Sequence, residues 1–136
     1  MDAPIKLDTG SLSPEQLDAL FRNLGMEVTF VDEHDMVVYY SEVKTRVFSR
    51  EPGIIGKSVQ NCHSPSTVPM INKLLDAFRA GTKDSVDFWR THEGKFVHIR
   101  YIAARDRNGR YRGCLETVQD ATGIRALAGE GNDLVW

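Results

Sequence analysis

A chain of 136 residues, 41% hydrophobic and 26% charged, has the length and composition of one compact domain with a real core. Its 17 basic and 19 acidic residues give a net charge of −2. With Lys and Arg scattered along the chain, the clustered positive footprint of a nucleic-acid or anionic-membrane binder is excluded.

The opening stretch "MDAPIKLDTG" lacks the basic-then-apolar signature of a signal peptide, and no apolar run approaches the ~18 residues of a membrane span. A cytoplasmic protein is expected, with residues 1–12 a flexible N-terminus. In "SLSPEQLDALFRNLG", Ser13 is placed to cap a helix, with Pro14 at its first position and Gln16 three residues after the cap. Leu17, Leu20, Phe21 and Leu24 form its apolar stripe and Gly25 stops it, so an amphipathic helix is predicted over residues 13–25.

"MEVTFV" and "MVVYYS" follow, flanking the turn "DEHD". In "EVKTRVFSREPGIIGKSV", Pro52, Gly53 and Gly56 allow only short helical turns. A long helix is predicted from Val68 to Ala80, with Val68, Ile71, Leu75 and Phe78 at helical spacing, Leu74 alongside, and Gly81 as the stop. Pro69 lacks an N–H and fits only the first turn, so the cap belongs at Ser66 or Thr67. Cys62 and His63 then fall in the loop before that helix.

"SVDFWR", "KFVHIRYIAAR" and "RYRGCLETVQD" read as three strands joined by "THEG" and "DRNG", with a short helix or tail over 123–136. Centring the second turn on Asn108-Gly109 sets Ala103 against Cys114, Tyr101 against Glu116 and Ile99 against Val118. Centring the first on Glu93-Gly94 sets Phe88 against Ile99, Val86 against Tyr101, Trp89 against His98 and Asp87 against Arg100. One face then carries Val86, Phe88, Val97, Ile99, Tyr101, Ala103, Cys114 and Val118, with Glu116 the single acid among them. A carboxylate aimed at an apolar interior needs a partner, for which Tyr101, Arg90 or a ligand donor are candidates. The other face, with Trp89, His98, Ile102 and Leu115, is too apolar to stay wet; the N-terminal helix or a second subunit would cover it.

The chain holds two cysteines. Cys62 and Cys114 lie far apart and make neither a disulfide framework nor a zinc spacing. There is no G-x-S-x-G, no H-E-x-x-H and no phosphate-cradling glycine loop, so an enzyme is not expected. Cys62-His63 can be read as a haem ligand or redox pair, or as a loop histidine bonded to backbone beside a packed thiol.

The element order is that of a PAS domain, and several stretches resemble one. "FVDEHDMVVYYSE" looks like the first PAS hairpin, "GKSVQNCHSPSTV" resembles the turn before the long helix, and "RDRNGRYRGCLETVQDAT" is similar to the closing hairpin. The likeness, over roughly residues 26–127, is greatest to C-terminal PAS domains of prokaryotic proteins that also carry a hemerythrin-like HHE domain, with the PAS domain itself expected over 26–122. It implies an α+β fold, a five-stranded antiparallel sheet with helices on one face, and a pocket between the inner sheet face and the long helix.

The pocket so implied would be lined by Phe30, Tyr39, Phe48 and Ile55 from the first half of the chain, and by Cys62, His63, Ile71 and Leu74 around the helix. The three later strands would add Phe88, Ile99, Tyr101, Cys114, Glu116 and Val118. A dimer or partner surface would use Leu17, Phe21, Trp89, His98, Ile102 and Leu115. The resemblance implies a sensory or regulatory domain binding a small ligand and signalling through a homodimer or partner protein, without nucleic acid or membrane. The alternatives are a ligand-free interaction module and a haem sensor with His63 as ligand. No histidine lies in 68–80, where haem-binding PAS domains usually supply theirs, and "QNCHSP" shares only Asn-Cys with flavin photosensors, so the cofactor is left open.

Overall fold

Pro69 decides where the long helix begins. The computed structural model describes residues 3–43 and 46–136, and in it helix α2 spans Val68–Ala80 with Thr67 as its cap residue and Pro69 in the first turn. The predicted start holds. Gly81 ends the helix with φ +75°, a left-handed backbone that glycine adopts without steric cost. Ile71, Leu75 and Phe78, spaced four and three apart, are buried, and Phe78 is fully enclosed.

That apolar stripe lies on the inner face of a five-stranded antiparallel sheet. Its strands are β3 (Glu27–Asp32), β4 (Val37–Tyr40), β5 (Ser85–His92), β6 (Lys95–Arg105) and β7 (Tyr111–Asp120), in the order β4-β3-β7-β6-β5. The registers are those expected: Phe88 faces Ile99, Tyr101 faces Glu116 and Ala103 faces Cys114. Glu93 and Gly94 both have positive φ, 49° and 78°, the geometry of a type I′ hairpin turn. Between β6 and β7 the Asp106 carboxylate accepts from the Asn108 and Arg110 N–H groups at 2.9 and 3.0 Å. The pairing shifts at Ala104/Arg105, so a bulge sits at the foot of this hairpin.

The inner face divides into two clusters. Val31, Val37 and Cys114 join the α2 stripe in one, while Val97, Ile99 and Val118 form the other under Val47 and Phe48. The segment between β4 and α2 makes two 3₁₀ turns, Pro52–Ile54 and Val59–Cys62, as the prolines and glycines there predicted. Cys62 therefore closes a short turn capped by Ser58 rather than lying in open loop.

Two differences from the sequence reading concern the N-terminal end. Where a flexible N-terminus was expected, strands β1 (Ile5–Leu7) and β2 (Gly10–Leu12) pair as a hairpin, with Ile5 opposite Leu12. Three residues a side is too short to show as a periodic signal. The first two residues of that expected segment, Met1 and Asp2, and Lys44 and Thr45 of the loop after β4, lie outside the described residues.

Helix α1 spans Pro14–Arg22 and ends three residues earlier than predicted, because the Asn23 side-chain amide donates to the Ala19 carbonyl at 2.8 Å and closes the last turn. Its start is as read: Ser13 Oγ accepts from the Gln16 N–H at 3.1 Å and Gln16 Oε1 accepts from the Ser13 N–H at 2.9 Å. At the C-terminus a single turn, α3 (Thr122–Arg125), lays Arg125 over the Phe96 ring at 4.1 Å. No helix among the described residues is long and apolar enough to cross a membrane.

Candidate functional site

Strand parity and the α2 stripe leave a cavity of about 240 Å³ between helix and sheet. Val31, Val37 and Cys114 form its sheet wall, Ile71, Leu74 and Leu75 its helix wall, and Ile54, Val59, Cys62 and His63 its loop wall. These surfaces are mostly apolar. One end is not, because Tyr101, Glu116 and Arg50 converge there.

Glu116 is the acid that the sheet register turns inward. Its partner is Arg50, whose Nη2 donates to Oε1 at 2.8 Å, with side chains 21% and 16% exposed. Arg90 is not that partner: its guanidinium stacks on Phe48 at 5.6 Å. Burial, then the charge of Glu116 and a hydrogen bond to it, raises the Tyr101 phenol well above its ordinary range, so it stays a neutral donor. The Cys114 thiol is pushed up to about 12, first by burial and then by the charges of Glu116 and Asp35. It is therefore no ready thiolate. Cys62 is exposed, and its Sγ donates to the Ser58 carbonyl at 3.5 Å.

Burial lowers the His63 imidazole below its ordinary 6.5; Glu116 acts against this shift and Arg50 with it. Since the folded state resists protonation, its contribution to stability is complete above pH 6.5 and is lost as pH falls below that value toward the folded-state pKa. Urea unfolding of the wild type and of His63→Gln between pH 7 and 5 checks this. The wild type should lose more stability on acidification; parallel curves would mean that the ring titrates as it does in water.

Of the predicted pocket residues, the cavity gathers Cys62, His63, Ile71, Leu74, Tyr101, Cys114 and Glu116. Ile99 and Val118 face the same side of the sheet but belong to the neighbouring cluster, where Phe48 covers them and tilts against His92 at 5.0 Å. Phe88 lies on an edge strand, 42% exposed and stacked on Tyr101, and Ile55 is 46% exposed beside the first 3₁₀ turn. Phe30 and Tyr39 are on the opposite face. Phe30 pairs with the outward Leu115, and Tyr39 with Phe30, so parity turns both away from the cavity.

Phe30 and Tyr39 line an apolar groove of about 600 Å³ under α1 and β1, together with Leu17, Phe21, Val28 and Leu115. Phe21 meets the Tyr39 ring at 5.5 Å. Three of the expected interface residues, Leu17, Phe21 and Leu115, thus meet within one chain. Trp89 is 60% exposed and Ile102 half-buried, while His98 is bound by Asp87 at 2.8 Å rather than by its opposite neighbour Trp89.

Sequence reasoning missed Arg50, Ser49 and Glu51, which enter the cavity from the loop after β4. The signal was the unmet charge of Glu116, which called for a cation on whatever segment crosses the inner face. A cavity of this size falls below the roughly 300–1,000 Å³ of drug-sized sites, and an ion pair occupies its wall. It does not fit a haem. Among the described residues no group of three His, Cys, Asp or Glu could hold a metal ion.

A family model described as "PAS domain" matches residues 17–122. The C-terminal domain of a Streptococcus mutans protein is 34% identical, with a TM-score of 0.87 over 93% of this chain and 98% of that one. The PAS domain of Bordetella pertussis BvgS shares the fold at 15% identity and a TM-score of 0.56, covering 78% of this chain and 84% of that one. Vibrio cholerae VqmA does so at 21% identity and a TM-score of 0.53, over 86% of this chain and 55% of that one. No curated protein matches the chain. On the family match, the shared topology and the registers observed, this chain belongs to the PAS domain family.

Proposed function

We propose that this PAS domain is a sensory or regulatory module that takes a small organic ligand into the inner cavity and passes the change on through a dimer or partner surface. The observation that carries this reading is the Arg50–Glu116 pair in the wall of an otherwise apolar cavity. Desolvating two charges is costly, and well-packed apolar residues would serve stability at least as well. A polar end with no evident structural gain is what recognition of a ligand requires.

Kinship supports the same reading. Sensor histidine kinases carry PAS domains of this fold, among them one from Vibrio cholerae, and VqmA has been seen bound to DPO and as a dimer. In this proposal the outer face, with Trp89 and Ile102, bears the second copy or the signalling partner, and the hemerythrin-like class named by the sequence resemblance is one such partner. Co-purification with a hemerythrin-like domain tests that last point.

Native mass spectrometry of the purified chain tests the whole reading, since it shows both an adduct and the oligomeric state. Leu74→Trp, which fills the cavity, should abolish the adduct while lowering stability by only ~1–3 kcal/mol, the usual cost of overpacking. A wild type with no adduct, and no thermal shift across a ligand panel, would leave the ligand-free interaction module in its place. A monomer at every concentration would remove the homodimer.

A further inference from the structure

The cavity's charge balance names the class of ligand; this step rests on the reading just given. At the polar end the formal charges of Arg50 and Glu116 cancel and Tyr101 contributes a neutral hydroxyl; Glu51 also lines the cavity, but it is exposed and solvent screens its charge. The guanidinium has five donors. Two are engaged among the described residues, by Glu116 Oε1 and by the Ser49 carbonyl at 3.2 Å. The carboxylate likewise keeps lone pairs beyond the one used by Arg50.

Each simple ligand chemistry meets this end differently. A carboxylate would gain Arg50 but set like charge against Glu116, and an ammonium would do the reverse. A hydrocarbon would dry the remaining donors and acceptors without replacing water's hydrogen bonds. A neutral group with adjacent N–H and C=O satisfies both: its carbonyl accepts from Arg50 and its N–H donates to Glu116. The walls from Val31, Val37, Ile71 and Leu75 then require the remainder to be apolar, and about 240 Å³ leaves room for roughly eight water-sized groups at ~30 Å³ each.

We infer that the ligand is a small, uncharged, amide-like molecule, of the lactam or cyclic-imide kind, bound by a donor and an acceptor side by side between Arg50 and Glu116.

Calorimetric titration of the full chain at pH 7.5 with four probes of matched size tests this: δ-valerolactam, cyclopentanecarboxylate, cyclohexylamine and toluene. The lactam should bind about tenfold or more tightly than the other three, the factor one charge-assisted hydrogen bond supplies. Glu116→Gln, which leaves Arg50 unneutralised, should move the preference to the carboxylate, and Arg50→Met should move it to the amine. If the carboxylate, the amine or toluene binds the wild type as well as the lactam does, the ligand class is wrong and the cavity reading survives. If none binds at millimolar concentration and no adduct is seen in the native spectrum, both fall.

Discussion

Gly113→Ala should destabilise this domain more than any other single-methyl addition at a glycine. Gly113 sits in β7 at the bulge with φ +152°, opposite both Asp32 and Ala104. A Cβ there would lie 2.3 Å from the Val31 carbonyl oxygen and 2.7 Å from the Phe30 ring. The oxygen is main chain inside the central strand pair, so it cannot swing aside as a flexible side chain would. Backbone strain of ~1–3 kcal/mol and overpacking of ~1–3 kcal/mol together give a loss of about 3–5 kcal/mol. Thermal unfolding should register a fall of roughly 10–20 °C for a domain of this size.

Gly109→Ala is the control, since φ is +80° there but nothing lies within 4 Å of the added carbon. It should cost only ~1–2 kcal/mol, the left-handed penalty alone. Equal losses in the two variants would mean that β3 and β7 part easily and that the close approach at Gly113 is not a constraint.

Glu27→Ala should cost about 3 kcal/mol and loosen the loop that carries Arg50. Glu27 is 5% exposed and faces inward opposite Val118. Its carboxylate accepts from the Val47 and Phe48 N–H groups at 2.8 and 3.4 Å and lies 3.4 Å from Arg46 Nε. Arg46 also donates to the Ser41 and Phe48 carbonyls, yet its Nη2 is buried without a partner among the described residues. Removing the carboxylate therefore strands a buried cation and two amides, and breaking a buried pair from one side typically costs ~3–5 kcal/mol.

Urea unfolding gives the loss, and hydrogen exchange at the Val47 and Phe48 amides gives the loosening. The double variant Glu27→Leu/Arg46→Met should recover part of the stability but not the slow exchange, because the acceptor is still missing. A loss below about 1 kcal/mol in Glu27→Ala, the range of exposed pairs, would mean that the loop is held by the packing of Val47 and Phe48 instead.

Register and helix start were legible because both rest on local rules. Two tight turns and a period of two fix which residues of β5, β6 and β7 face each other, and Pro69 limits where α2 can begin. The inward Glu116 followed from that register. What supplies its charge partner did not, because Arg50 lies 66 residues away in an aperiodic loop whose path over the inner face depends on Glu27 holding its amides. Phe30 and Tyr39 were assigned to the cavity because no short turn links β3 to β7, so their pairing, and hence the parity of the first hairpin, could not be read from either segment alone.

The two borders of the main sheet are not equivalent. Along β4 the main chain is already engaged by the segment that follows it: the Val37 N–H donates to the Lys57 carbonyl, the Gly56 N–H to the Val37 carbonyl, and Met36 bridges Ser58. Strand β5, eight residues long, ends the sheet on the other side. Growth by a foreign strand is thereby channelled to a single margin, where Asp87 shares the outer face with the bare ring of Trp89 and Arg90 lies over Phe48 on the inner one. Those two charges act as wardens against runaway fibre-like addition, and a variant neutral at both positions would leave that margin unguarded.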